Sequence, residues 1–164
     1  MVRRLSPWRR GFHQAFHALP RPLRKRLVRV ATPNYTVGSV VLLRDGDGGL
    51  LMLRQPPGHD GWSLPGGLLD RFEHPAAGAL RELEEETGIR LDPSALRPAQ
   101  PNAVVAPRVQ QVDCVFTATV DPAAVDLDVD PVEVLEARWF PASDLPRLTP
   151  PTARLLAHYG LPAT

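Results

Sequence analysis

Apolar residues along the chain fall into short runs between turn-forming residues, and these runs predict a β-sheet. Tyr35 to Leu43 is rich in β-branched and apolar residues and predicts a buried strand. Leu50 to Arg54 predicts the return strand, because the Asp- and Gly-rich residues 45–49 between the two runs are typical of a hairpin turn. Three later strands are expected at Leu96 to Val105, Val109 to Val120 and Val134 to Phe140.

The sequence indicates where one helix between these strands begins and ends. Pro75 suits the first helical position, where its missing N–H would be unpaired in any case. Gly88 suits the end, because the residue after the last turn often adopts a left-handed conformation. At helical spacing, one apolar stripe runs along this helix, and we expect it to pack on a core. The stripe consists of Ala76, Leu80, Leu83 and Thr87.

Three carboxylates share a different face of this helix: Glu82, Glu85 and Glu86. Like charges at these spacings destabilise a helix by roughly 0.2–0.5 kcal/mol per pair. A solvated acidic face is the ordinary explanation of such a cluster. No alternating Lys or Arg offsets the charge here, and Glu84 and Arg81 are expected to point toward solvent or a loop. A hard divalent cation such as Mg²⁺ or Mn²⁺ would remove the repulsion.

A last helix is expected near Thr149 to Tyr159. Strands on both sides of an isolated acidic helix, followed by a C-terminal helix, predict an α/β fold in which helices cover both faces of a mixed β-sheet, an α/β/α sandwich. The 164 residues suit one domain with a sizeable core. No apolar run approaches the ~20 residues of a transmembrane segment. The single cysteine, Cys114, excludes an internal disulfide framework, and we expect a cytoplasmic protein.

The net charge of +1 conceals a strong asymmetry. Residues 1–30 contain nine Arg or Lys and no acid, so the rest of the chain holds ten of the nineteen basic residues and all eighteen acidic ones. We therefore expect a basic amphipathic N-terminal extension over 1–30 and a separate domain over 31–164. The apolar face of the extension would pack on that domain or on a second subunit in a homodimer. Contact with an anionic membrane or with nucleic acid is the alternative.

A longer pattern surrounds the acidic face. Nine positions match, place for place, the signature box of the Nudix hydrolase superfamily: Gly67, Glu73, Arg81, Glu82, Leu83, Glu85, Glu86, Gly88 and Ile89. The chain thus resembles that superfamily, and the resemblance implies the Nudix type of α/β/α sandwich around a mixed sheet. It also implies that Gly67, Glu73, Arg81 and Gly88 are structural residues of the box, with the Glu73–Arg81 pair bracing the loop against the helix.

The resemblance implies a site for Mg²⁺ or Mn²⁺. By position, Glu85 and Glu86 resemble the principal metal ligands, and Glu82 a further ligand or the general base. The backbone carbonyl of Gly66 is similar to one that completes the metal shell in some members. Glu133 lies in the loop where several members place an additional ligand or base, and Glu136 competes with it for that assignment.

The implied activity is divalent-metal-dependent hydrolysis of a diphosphate linkage in a nucleoside diphosphate derivative or a nucleoside triphosphate, by attack of water on phosphorus. Arg54 is a candidate phosphate clamp. Arg108, Gln110 and Gln111 follow the box where substrate groups are often read, and solvation at a strand edge is the alternative explanation of these three residues. Trp62 would stack on a base or pack in the core, and His59 lies in the same loop region. The motif of the NADH diphosphatases has no match, so the substrate stays open. The alternatives are an RNA 5′-end pyrophosphohydrolase that uses the basic arm and a non-catalytic module that senses a nucleotide.

Overall fold

The structure, a computed structural model, describes residues 16–57 and 60–161. The chain forms two compact units, residues 1–35 and residues 36–164. In the first unit, helix α1 spans Arg21–Ala31. Trp8, Phe12 and His13, part of the amphipathic pattern at the N-terminus, lie outside the described residues. No helix in the described part of the chain is long and apolar enough to cross a membrane.

The second unit is built on a seven-stranded sheet. Its strands are β1 Thr36–Arg44, β2 Leu50–Arg54, β3 Trp62–Ser63, β4 Gly66–Leu68, β5 Arg97–Ala106, β6 Gln111–Thr119 and β7 Glu136–Phe140. The strand order is β3-β2-β1-β6-β5, with β4 also paired to β1 and β7 also paired to β2. The five strands expected from the apolar runs are all present, and β3 and β4 are additional.

The sheet is mixed, as expected. Strands β1 and β6 run parallel, in register from Thr36 opposite Gln111 to Arg44 opposite Thr119. The other pairings are antiparallel. Short bends join several of these strands. A 3₁₀ turn follows Asp92 and another follows Asp121; each of these carboxylates accepts a hydrogen bond from the backbone N–H of the residue two positions later.

Two helices cover the two faces of the sheet. Because successive strand residues point to opposite faces, Val41 and Leu43 belong to one core cluster and Leu42 to the other. Helix α2, Pro75–Thr87, contributes Ala79 and Leu83 to the first cluster. Helix α3, Pro150–Ala157, contributes Leu155 and Leu156 to the second. The expected α/β/α sandwich is therefore confirmed.

Helix α2 begins and ends where the sequence indicates. The ring of His74 accepts a hydrogen bond from the backbone N–H of Ala76, and Pro75 occupies the first turn. Gly88 is left-handed, with φ of 73°, and its N–H donates to the carbonyl of Glu84 at 2.8 Å. Leu83 and Thr87 of the expected apolar stripe are fully buried. Ala76 and Leu80 pack at the margin of the same core.

The loop that enters α2 holds a strained residue. Phe72 has a φ of 69°, a conformation that costs a side chain with a Cβ roughly 1–2 kcal/mol, and its side chain is 98% exposed. We expect Phe72→Gly to stabilise the protein by about 1 kcal/mol in urea unfolding, because glycine removes the strain and little packing is lost. Phe72→Ala keeps the strain and should leave stability unchanged. A destabilised Phe72→Gly variant would mean that this aromatic ring contributes packing.

Candidate active site

Glu86 is the most buried carboxylate of α2, with 5% of its surface exposed. Its Oε2 accepts a hydrogen bond from the backbone N–H of Gly66 at 2.8 Å, which ties the helix to strand β4. Burial raises the pKa of Glu86 to about 8, although the bonds from Gly66 and from the Gln55 side chain oppose the shift. The negative charges of Glu82 and Glu133 raise the pKa further. The site therefore holds a carboxylate that lacks a compensating positive charge.

This raised pKa has a consequence for stability in metal-free solution. The ordinary pKa of glutamate is 4.5, so between pH 4.5 and about 8 the folded protein binds a proton at Glu86 that the unfolded chain has released. Stability is then expected to fall as pH rises through this window. Urea unfolding in EDTA at several pH values measures the slope. A Glu86→Gln variant should show a flatter profile, and equal slopes would show that Glu86 does not carry the effect.

Two glycines of β4 allow carboxylates to lie against the strand backbone. Gly66 has a φ of 147°, and a Cβ there would stand 2.3 Å from the carbonyl oxygen of Ser39. A Cβ on Gly67 would stand 2.5 Å from the carboxylate of Glu82. Glu82 is thereby half-buried, and burial raises its pKa, against the opposing effect of Arg81.

The side chain of Arg81 does not point away from the acidic face, although the sequence predicted that it would. Its Nε and Nη2 donate to the two carboxylate oxygens of Glu73 at 2.9 and 3.0 Å, so the pair does brace the loop against the helix. Its Nη1 also donates to Glu82 at 2.9 Å and to Glu85 at 2.8 Å. A helical wheel cannot show this, because the long Arg side chain reaches across to the next face. The acidic face therefore does contain a compensating cation.

Arg81 and the backbone N–H of Asp70 together hold the pKa of Glu73 down to about 2. The loop end is thus fixed by a bidentate ion pair, a geometry stronger than a single hydrogen bond. The same contacts raise the pKa of Arg81.

We expect Arg81→Met to make the stability of the protein depend more strongly on Mg²⁺. Three carboxylates lose their partner, so in EDTA the unfolding temperature should fall well below that of the wild type and recover when Mg²⁺ is added. Arg90→Met is the matched control, because Arg90 forms its ion pair with the exposed Glu84, away from the acidic face. Thermal unfolding with and without Mg²⁺ measures both variants. Equal responses of the two variants would remove Arg81 from this role.

A cavity of about 510 Å³ lies on the α3 side of the sheet and reaches Gly66 of β4. Gly66 and Gln55, the two hydrogen-bonding neighbours of Glu86, are part of its wall. The described residues that line it are Val40, Gln55, Asp60, Ser63, Leu64, Gly66, Gln111, Asp113, Thr149, Pro150, Pro151, Thr152 and Leu155. The wall combines apolar side chains with a few polar groups, which is usual for a small-molecule site.

Glu133 and Glu136, the two candidates for an additional ligand or base, have different surroundings. The charge of Glu133 acts on both Glu82 and Glu86. Glu136 forms ion pairs with Arg54, at 3.6 Å, and with Arg138. Glu133 is therefore the one of the two that interacts with the carboxylates of α2.

The carboxylates are not gathered as metal ligands in this structure. Within residues 16–57 and 60–161, no three His, Cys, Asp or Glu side chains form a group that could hold a metal ion. Glu82 and Glu85 face Arg81, and Glu86 faces Gly66. The donor chemistry nevertheless fits a hard divalent cation, because all the candidate donors are carboxylate or carbonyl oxygens, and a cation would offset the charge of the ionised form of the buried Glu86.

Comparison with known proteins decides the family. The family model described as the NUDIX domain matches residues 34–159. The chain belongs to the Nudix family. The match begins beside the start of β1 and ends after α3, so it takes in the whole sheet and both covering helices.

Two curated relatives share part of this Nudix domain. The chain is 34% identical over 122 residues to the NAD-capped RNA hydrolase NudC of Deinococcus radiodurans, an alignment that covers 72% of this chain. It is 38% identical over 91 residues to a CMP-5′-(N-acetyl-N-hydroxy-3-aminopropyl)phosphonate hydrolase of Streptomyces rubellomurinus, covering 54% of this chain. The chain spans 41% of the length of each of these relatives.

A solved structure shows the same fold. The MutT NUDIX hydrolase of Burkholderia pseudomallei superposes with a TM-score of 0.62 and is 28% identical. The superposition covers 76% of this chain and 97% of that one. The Nudix type of mixed sheet with helices, expected from the signature box, is therefore confirmed.

The three proposed substrate-binding residues of the Nudix domain lie outside the cavity wall that the structure describes. Trp62 packs edge-to-face on Phe140, with ring centroids 4.8 Å apart, and belongs to the margin of the α3-side core. Arg54 is at the end of β2, beside Glu136. Arg108 is exposed in the turn between β5 and β6. His59 falls outside the described residues.

Of the cavity wall, the sequence pointed to Gln111 but not to Asp113 or Gln55. Asp113 on β6 accepts a hydrogen bond from the side chain of Gln111 at 2.6 Å, and both line the cavity. Gln55, just beyond the end of β2, also lines the cavity. The available signal was alternation: Gln111 and Asp113 are polar residues two apart in an apolar strand, so they share one face.

Proposed function

We propose that this Nudix domain hydrolyses a diphosphate linkage in a nucleoside diphosphate derivative, with Mg²⁺ or Mn²⁺ as cofactor and water as the nucleophile. The observation that carries the proposal is the junction at Gly66. Its N–H holds the buried carboxylate of Glu86, and the same residue lines the 510 Å³ cavity. A bound substrate in the cavity would therefore lie next to the strand residue that holds Glu86.

The proposed metal ligands are the carboxylates of Glu82, Glu85, Glu86 and Glu133 and the carbonyl of Gly66. A divalent cation bound there would neutralise phosphate charge and lower the pKa of a bound water. Arg81 now holds Glu82 and Glu85, so the cation would compete with the guanidinium for these oxygens. Gly66 and Gln55 keep Glu86 in place throughout.

Two groups are candidates for the general base that accepts the proton of the attacking water. Burial raises the pKa of Glu82, which makes its carboxylate a stronger base. Glu133 is the second candidate, because its charge acts on the same carboxylates. Glu85 is the more exposed, at 52%, and its role in the proposal is that of a ligand alone.

The substrate proposal rests on the relatives and on the shape of the cavity. Both curated relatives are named for nucleotide-linked compounds, an NAD cap and a CMP-linked phosphonate. A cavity of this size, lined by apolar side chains and a few polar groups, suits a nucleoside or the group linked to it. Arg54, 53% exposed, and Arg108 stay candidates for phosphate contacts.

The test is a screen of purified full-length protein with Mg²⁺ or Mn²⁺ against ADP-ribose, sugar nucleotides, NAD and nucleoside triphosphates. We expect turnover of at least one nucleoside diphosphate derivative, and none in EDTA. Binding of a nucleotide without any metal-dependent turnover would instead support the non-catalytic sensing module.

An RNA 5′-end substrate is the second candidate, and the similarity to an NAD-capped RNA hydrolase favours it. This chain lacks the motif of the NADH diphosphatases, so the similarity supports the class of linkage rather than one substrate. NAD-capped and triphosphorylated RNA belong in the same screen. Faster turnover of capped RNA than of free NAD would favour this candidate, and the reverse order would favour the small molecule.

A further inference from the structure

Helix α1 has two opposite faces of different chemistry. At about 3.6 residues per turn, Arg21, Lys25 and Arg29 fall on one side, together with Val28, and Leu23, Leu27 and Val30 fall on the other. None of its eleven residues is buried. The exposed apolar side chains of that second side are Leu23 at 51%, Leu27 at 46% and Val30 at 78%.

The charge of α1 is of one sign. It carries five basic residues and no acidic one, and the first 30 residues of the chain carry nine basic residues and no acid. Basic side chains in the first turn, such as Arg21 and Arg24, oppose the helix dipole rather than complement it. Arg29 in the last turn does complement the dipole, so the excess charge lies in the first turn and middle of α1, where it is complementary to a dense negative charge outside the helix.

We propose that α1 docks on an anionic lipid bilayer, lying in the plane of the surface. Its apolar side would enter the boundary between headgroups and acyl chains, and its basic side would meet the phosphates. Arg24 and Arg26 stand at the two margins between the faces, where side chains of this length reach headgroups.

Two other binding partners would match only part of the surface of α1. Nucleic acid would satisfy the basic side but leave Leu23, Leu27 and Val30 in water. A second copy of α1, packed through the apolar side, would bring the like charges of Arg24 and Arg26 together at the seam. An anionic bilayer satisfies both sides at once.

The experiment is flotation of the full-length protein with vesicles of phosphatidylcholine alone or mixed with phosphatidylglycerol. We expect binding to the mixed vesicles, weak binding to phosphatidylcholine alone, and loss of binding as salt is raised. Lys25→Gln with Arg29→Gln should weaken binding about 25-fold, since each basic residue near an anionic surface contributes about fivefold. The double substitution Leu23→Asn, Leu27→Asn should weaken vesicle binding at least tenfold, which is on the order of the effect of losing one buried apolar side chain.

The controls replace exposed residues outside α1. Arg97→Gln and Val109→Asn remove one charge and one apolar side chain from the second unit, and binding should not change. Far-UV circular dichroism checks that every variant is folded. Equal binding to both kinds of vesicle, or none, would overturn the proposal. So would an unchanged affinity of the Leu23→Asn, Leu27→Asn variant for vesicles, or tight salt-sensitive binding to an RNA oligonucleotide with none to vesicles.

Discussion

Glu86→Gln is expected to reduce metal-dependent hydrolysis about 100-fold or more while the unfolding temperature in EDTA stays the same or rises. Glutamine keeps an oxygen that accepts the Gly66 N–H, so the tie between α2 and β4 is retained. It removes a buried carboxyl group whose pKa is raised to about 8, and whose ionised form destabilises the fold, so no stability is lost with it. The catalytic loss follows because a neutral amide is a poor ligand for a divalent cation.

Glu84→Gln is the matched control for this variant. Glu84 is on the same helix but is exposed and paired with Arg90. Its replacement should leave turnover within about twofold of the wild type, as for a surface charge away from the site. Initial rates at saturating Mg²⁺, with thermal unfolding in EDTA, measure both variants. Wild-type turnover by Glu86→Gln would exclude Glu86 as a metal ligand.

Gly66→Ala is expected to destabilise the protein by about 3 kcal/mol, since backbone strain and overpacking each cost roughly 1–3 kcal/mol. The added methyl group would stand 2.3 Å from the carbonyl oxygen of Ser39 and 2.8 Å from the Cα of Val40. Both are backbone atoms of the central strand, so neither moves without disturbing the sheet. The N–H that holds Glu86 would shift as well, and activity should fall with stability.

Gly46→Ala provides the comparison for this substitution. Gly46 is in the turn between β1 and β2, where an added Cβ meets nothing within 4 Å. Its replacement should change stability by less than about 0.5 kcal/mol. Urea unfolding of both variants gives the difference. A Gly66→Ala variant as stable as Gly46→Ala would mean that β4 is free to move away from β1.

The parts of the fold that the sequence predicted are those with a strong local pattern. Pro75 and Gly88 marked the ends of α2 because each residue is suited to one backbone position. The runs of apolar residues marked β1 and β2. Strands β3 and β4 were not predicted, because two or three residues beside glycine and proline show no periodicity, and they exist only through pairing with β2 and β1.

The site was predicted less completely, and for a related reason. The signature box places Glu82, Glu85 and Glu86 on one helix, which a sequence shows directly. The cavity wall is assembled from separate strands: Gln55 follows β2, while Asp113 is on β6, and the parallel pairing of β6 with β1 brings them together. The reach of Arg81 to three carboxylates also depends on its rotamer, which no spacing rule fixes.

One measurement tests the central proposal directly: anomalous scattering from crystals of the protein grown with Mn²⁺ and a non-hydrolysable nucleoside diphosphate derivative. The expected result is a manganese peak within coordination distance of Glu82, Glu85 and Glu86, beside phosphate density at Gly66. Arg81 should then have released at least one of its two partners on the acidic face. A crystal with the nucleotide bound, Arg81 still holding Glu82 and Glu85, and no manganese among the three carboxylates would contradict it.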